Sequence, residues 1–353
     1  KKENVGDNIE NYYYVYDDGF IYCDYELNYF RYTFADGGKV ELGSGIGFVT
    51  ARDTITVLFA TDGSVYKMPS DTSEKIKVGS YHDGIYVNGI SNDGTNAVWT
   101  LYTDNDRTII LNEGEDKETL GEYKSKYNGT GVTFSSDQGL AVITNIYSDE
   151  MYIKERGKET IKSKLGGILY DGIVYTNKGL LNETKTKEIK NLYVSVEGNS
   201  YNDPFNVYNI SLNGDRERIL STINDYFIYE NQIAYLDDDN TLYYAQLEGA
   251  EITDEKKIAN EVENTYYNKE YIYYLKEKEK ETDGTWVGVL YVYKNGDKES
   301  KKIDSNVYMY SVVANTSRST IYYLKEPEAI GNTGSRKGTL VKYDYNREEK
   351  SKL

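Results

Sequence analysis

Any chemistry in this chain would have to start from its carboxylates. The densest run is Asp237-Asp238-Asp239-Asn240, and Asp104-Asn105-Asp106 is a second. Clustered carboxylates can hold calcium, and a suitably spaced pair can hydrolyse a glycosidic bond. Calcium wants oxygen ligands more widely spaced than a contiguous run provides. Each run lies between two stretches of strand character, so each reads as a polar hairpin turn. With 58 Asp and Glu in the chain, no one pair stands out for glycoside cleavage, which draws its acids from distant segments.

The other reactive types are single. His82 sits in the turn Tyr81–Gly84 and reads as a solvated loop residue. Cys23 falls mid-strand with Ile21 on its face and reads as a packed, inert thiol. One Cys forms no intramolecular disulfide, and one Cys with one His makes no Cys/His metal site. The chain has no Gly-x-Ser-x-Gly elbow, Walker loop or Rossmann glycine fingerprint. We expect no catalytic residue, no metal and no cofactor.

The elements that would carry any site are strands. Tyr271–Leu275 and Val287–Tyr293 are runs of aromatic, β-branched and apolar residues, which suit a pleated, half-buried surface. Asn295-Gly296 then supplies a tight turn. Glu299–Asp304 follows, with Ile303 its one apolar anchor, a composition fit for a sheet edge that must not pair further. The pattern recurs at Thr320–Lys325 with Thr339–Tyr345, and at Gln232–Leu236 with Thr241–Leu247. An apolar run precedes each, so the repeating unit is four short strands.

Traced along the chain, the units cover 8–45, 46–81, 82–123, 124–166, 167–224, 225–262, 263–307 and 308–353. They number eight, of roughly 44 residues each, a period typical of four-stranded propeller blades. The unit 167–224 is irregular, with Gly179–Lys190 as extra sequence, and seven is the alternative count. Radial packing is the best way to bury so many small sheets. The expected fold is therefore all-β, a single-domain β-propeller of four-stranded antiparallel blades. The 39 Tyr fit it, because the ring packs while the hydroxyl reaches water or a partner.

The pairs Glu270–Tyr274 with Leu290–Gly296, Thr320–Tyr323 with Leu340–Tyr345, and the stretch Gly19–Tyr22, follow a DGxIYY…LYxxxxxG pattern. In this the chain resembles bacterial propellers related to the low-density-lipoprotein-receptor YWTD type and the TolB type. The Trp-Thr-Asp element of that family is missing; Ile173–Asn177 and Trp99–Asp104 only echo it. The resemblance implies an extracytoplasmic propeller and assigns no ligand residues.

Charge narrows the partners. Forty-one Lys and Arg against 58 Asp and Glu give −17, which excludes nucleic acid and simple attachment to anionic lipid. No apolar run is long enough to span a membrane. The polar start KKENVGDN, without an initiator Met, leads us to expect a leader or anchor ahead of it and a location at a bacterial cell envelope or outside the cell. The longest loops expected are Glu197–Phe205, Lys276–Trp286 and Lys325–Gly338, all on one face of a meander fold. Tyr201, Phe205, Trp286 and Arg336 are the candidate binding residues, since exposed aromatics with Arg anchor partners. The reading is a monomeric binding or scaffolding module for a protein or glycan. Its alternatives are a carbohydrate-active enzyme with acids at the central channel and a ligand-sensing ectodomain of a membrane protein.

Overall fold

The computed structural model describes the chain apart from residues 1–8, 16–18, 27, 35–36, 44, 53–54, 61, 63, 70–74, 81–84, 92–95, 114–115, 197–203, 315–319 and 331–334. The chain forms two compact units, Lys1–Lys162 and Ser163–Leu353. Both are antiparallel β. Among the described residues the helical segments are two single 3-10 turns, Leu181–Glu183 and Thr186–Glu188.

The first unit consists of four-stranded meanders. Ile9–Val15, Gly19–Asp24, Tyr29–Thr33 and Lys39–Gly43 pair in sequence order, as do Ile46–Arg52, Ile55–Ala60, Ser64–Pro69 and Ile76–Ser80. Two further sheets follow the same order over 85–124 and 130–164. Inner strands carry the core. Leu140–Asn145 is buried along its whole length, and Ala141 and Ile143 pack with Val98, Ile109 and Phe134 of neighbouring strands. Cys23 is fully buried beside Ile21, Leu42 and Leu58, the packed thiol its alternation with Ile21 indicates.

The second unit holds two longer sheets. One runs in space as Gly179–Leu180, Leu169–Thr176, Asn191–Val196, Phe205–Ser211, Arg216–Tyr229, Gln232–Asp237, Leu242–Glu248 and Glu251–Ala259. The other runs as Val262–Asn268, Tyr271–Lys280, Trp286–Lys294, Lys301–Tyr308, Thr320–Ala329, Arg336–Asp344 and Glu349–Lys352, with Val313–Ala314 paired to Thr320–Ala329.

Here the sequence reading needs two corrections. The expected boundary between the units 167–224 and 225–262 falls inside one continuous 14-residue strand, Arg216–Tyr229. Thr222 bends it at φ 62° instead of breaking it. The same device recurs at Glu261 (φ 55°), just ahead of Val262–Asn268, and at Asn306 (φ 56°), within Lys301–Tyr308. Each is followed by a buried β-branched residue, Ile223, Val262 or Val307. A left-handed residue costs about 1 kcal/mol or more outside glycine, and the buried anchor that follows helps hold it.

The second correction concerns the charged stretches 276–286 and 325–338. They are not long loops: the strands run on to Lys280 and Ala329. Each ladder skips at the same place, between Lys276 and Glu279 and between Lys325 and Glu328. Glu277 (φ 59°) and Glu326 (φ 51°) are the bulged residues. A bulge re-aims the strand beyond it, and Gly288 and Gly338 face the two bulges. A methyl group on Gly338 would lie 2.7 Å from the carbonyl oxygen of Lys325, and one on Gly288 would lie 3.0 Å from that of Lys276.

Candidate surface around Trp286

Beyond its bulge, the strand Tyr271–Lys280 presents Lys278 and Lys280 to Trp286, which opens the next strand opposite Lys280. The ammonium groups stand 5.0 and 5.4 Å from the indole centroid, within cation–π reach. Trp286 is half-buried, its inner side against the core that holds Leu275, Leu290 and Met309. Lys278 also donates to Glu263 at 2.9 Å. That bond raises the Lys278 pKa, with a smaller push from the phenol of Tyr310, which is 67% exposed.

Arg336 opens the strand after the second charged stretch. It is half-buried and donates from Nη1 to the carbonyl of Ser335. Asp283, in the short turn before Trp286, connects the two regions. It accepts the backbone N–H of Thr285 at 2.9 Å and that of Ala329 at 2.7 Å. The Thr285 side chain and N–H, then the Ala329 N–H, hold its carboxyl at about 2, with the Arg336 guanidinium adding to them. Trp286 and Arg336, 50 positions apart in the chain, thus lie on turns joined through Asp283.

Next to Lys278 is a polar cavity of about 400 Å³. Its wall is built from residues just past the Thr222 and Glu261 bends, Asn224, Asp225, Glu263, Asn264, Thr265 and Tyr266, with Leu236 and Asn240 completing it. Asn240 (φ 57°) belongs to the turn Asp237–Thr241, whose Asp237 carboxylate accepts the Thr241 N–H at 2.7 Å. The acidic run is therefore the hairpin turn its position indicates. Sequence reasoning missed this cavity, because its residues have no motif beyond an Asn or Asp near the start of two strands.

Of the other candidates, Phe205 is a core residue, 3% exposed and 5.8 Å from the Tyr226 ring. It faces inward because strand alternation puts it with Val207 against Ile223, so it is not an exposed anchor. Tyr201 and His82 lie outside the described residues. No helix among the described residues is long and apolar enough to cross a membrane.

No protein-family model matches the chain. Over 208 residues it is 29% identical to the non-toxic nonhemagglutinin type A of Clostridium botulinum (strain Kyoto / Type A2), a match that covers 53% of this chain and 17% of that protein. The chain thus spans only a small part of that relative's length. Among solved structures it is similar to an uncharacterized protein from Listeria monocytogenes (TM-score 0.41, 13% identity, 76% of this chain and 81% of that one). It is also similar to a eukaryotic initiation factor (TM-score 0.43, 11% identity, 100% and 90%). A third is the WD40 domain of SCAP from fission yeast (TM-score 0.34, 11% identity, 90% and 92%). Likeness at this level bears on neither activity nor partner.

Proposed function

We propose that this chain is a non-catalytic binding or scaffolding module, a propeller of four-stranded blades that works at a bacterial cell envelope and meets a protein or glycan through the surface around Trp286. The observation that carries the reading is the half-buried indole seated on a rigid core with two ammonium groups over it. Such an anchor offers apolar area at little entropy cost. The Asp283 tie to Ala329 supports the same reading, because it fixes the neighbouring turn in place. The recurring meanders and the matched bends at Thr222, Glu261 and Asn306 support the repeat architecture. Eight blades in one domain, 1–353, is the count this reading takes. The match to a bacterial protein agrees with a bacterial origin.

Retention on a glycan array or on purified cell-wall material, followed by product analysis of any bound sugar, tests the reading. Binding without turnover is expected. Release of shortened sugar would replace the module with an enzyme.

A further inference from the structure

The sequence contains four Asn-Gly pairs: Asn88-Gly89, Asn128-Gly129, Asn213-Gly214 and Asn295-Gly296. Glycine leaves its own backbone nitrogen unshielded by a Cβ, so that nitrogen can attack the amide carbon of the preceding asparagine. The attack needs the amide turned towards the next residue, access for water, and a backbone free to close a five-membered ring. Three of the pairs fail one or more of these conditions. Asn88 lies inside the strand Ile85–Ile90, its Nδ2 donating to the Thr130 carbonyl at 2.9 Å and its Oδ1 accepting the Thr100 hydroxyl at 2.8 Å. Gly89 is buried and paired with Val98. Gly129 is buried against the Tyr147 ring, and its N–H donates to the Tyr123 hydroxyl at 3.2 Å. Asn295 turns its amide back along the sheet. Its Nδ2 donates to Gln232 Oε1 at 2.9 Å and to the Lys269 carbonyl at 3.4 Å, and its Oδ1 is buried.

Asn213 differs on each point. It is exposed, in the turn between Phe205–Ser211 and Arg216–Tyr229. Its Oδ1 accepts the Ser211 hydroxyl and, at 3.5 Å, the backbone N–H of Asp215. A side-chain carbonyl bonded two residues ahead lies forward, on the side of the intervening Gly214 nitrogen. The same two donors stabilise the negative charge that attack would place on that oxygen. Nδ2, the nitrogen that must leave, donates to the Asp215 carboxylate at 2.9 Å. The one restraint is the bond from the Gly214 N–H to the Ser211 carbonyl at 2.9 Å, which must open first.

We infer that Asn213 is a site of spontaneous deamidation, selected by the fold from the four pairs. The Gly214 nitrogen loses its proton to solvent base and bonds to Cγ of Asn213. The Cγ–Nδ2 bond then breaks, and the leaving nitrogen takes a proton and departs as ammonia. Water opens the cyclic imide at either carbonyl, which leaves aspartate or isoaspartate and a new negative charge. Water is the only co-reactant. The isoaspartyl form adds a methylene to the backbone of a turn whose Gly214 carbonyl accepts the Ser163 hydroxyl at 2.9 Å.

The test is timed incubation of the full chain at pH 8.5, folded and in guanidinium chloride, with peptide mass mapping of the four pairs. In the folded chain Asn213 should convert at least tenfold faster than Asn88, Asn128 or Asn295. In the denatured chain the four should convert at similar rates, since each is followed by glycine. Asn213→Gln, at an exposed turn position, should remove the acidic species that accumulates at the rate mapped to Asn213, because glutamine would have to close a larger ring. Conversion of Asn213 no faster than the other three in the folded chain would overturn the inference. A preference for Asn213 that survives denaturation unchanged would do so too, since local sequence and not the fold would then set it. Persistence of that acidic species in Asn213→Gln would also overturn it.

Discussion

The Asp283 carboxylate accepts the backbone N–H of Ala329 at 2.7 Å, a bond between the turn that precedes Trp286 and the strand that leads towards Arg336. Asp283 lies open to solvent and its carboxyl is held at about 2, so this bond acts on local order more than on global stability. Asp283→Ala should speed amide hydrogen exchange at Ala329 and Thr285 while leaving core strands such as Leu140–Asn145 protected. The folded pKa is depressed, so whatever stability the carboxylate adds is present above the ordinary carboxylate range and is lost as pH falls towards 2. Exchange measured at pH 3 should therefore still show the tie.

Asp304 is the buried carboxylate of the second unit. It takes Lys325 at 2.9 Å, Lys350 at 3.0 Å and the Tyr323 hydroxyl at 2.9 Å. Burial works to raise its pKa, but the two lysines, Tyr323 and the Ser305 N–H outweigh it and hold the group below the usual carboxylate value. Asp304→Ala leaves those donors without their acceptor and should cost about 2 kcal/mol in chemical denaturation. The sign for pH follows. The contribution is complete above the ordinary carboxylate pKa and disappears in acid, so the variant and the wild type should converge in stability at low pH.

The tyrosines set the alkaline limit. Burial pushes Tyr193 up to about 12, and burial with the nearby Tyr293 phenol does the same for Tyr244. Tyr235 and Tyr323 rise further, through burial first and then through Glu255 and Asp304. These phenols are neutral in the fold but ionise near pH 10 once unfolded, so their stabilisation is full below pH 10 and is lost as pH rises through the folded values. Phenolate absorbance at 295 nm should therefore rise in a cooperative step that coincides with loss of the circular dichroism signal. A single smooth titration without unfolding would contradict this.

Gly338 and Gly288 give a steric prediction. A Cβ at Gly338 would sit 2.7 Å from the Lys325 carbonyl oxygen and 3.2 Å from that of Glu326, both backbone atoms that cannot swing aside. Gly338→Ala should cost about 1–3 kcal/mol. At Gly288 the closest atom is the Met309 sulfur at 2.8 Å, the end of a flexible side chain, although the Lys276 carbonyl stands at 3.0 Å. Gly288→Ala should therefore cost less than Gly338→Ala, as thermal melts of the two variants will show.

Much of the strand pattern is legible in the sequence, because apolar alternation and turn residues mark it directly: the expected strand Gln232–Leu236 lies within a residue of Gln232–Asp237. The continuous strand Arg216–Tyr229 is not, since its bend uses Thr222, where a left-handed backbone leaves no glycine to see. Charged strand extensions were misread for a related reason. Lys276–Lys280 has no apolar alternation of its own, and its pairing depends on Trp286 and Val287 across the ladder. Trp286 and Arg336 could be proposed from residue type and position, but Asp283 as the link between them could not. Phe205 shows the limit of type alone: an aromatic near a polar loop faced the core.

The most direct measurement compares the wild type with Lys278→Ala/Lys280→Ala and with Trp286→Ala on the glycan array and cell-wall material, at matched circular dichroism. The double lysine variant removes exposed side chains and leaves the core beneath the indole intact. The account predicts a ligand retained by the wild type, weakened at least tenfold in Trp286→Ala and reduced in the lysine variant. Retention that is unchanged in both folded variants would place binding away from Trp286 and contradict the account.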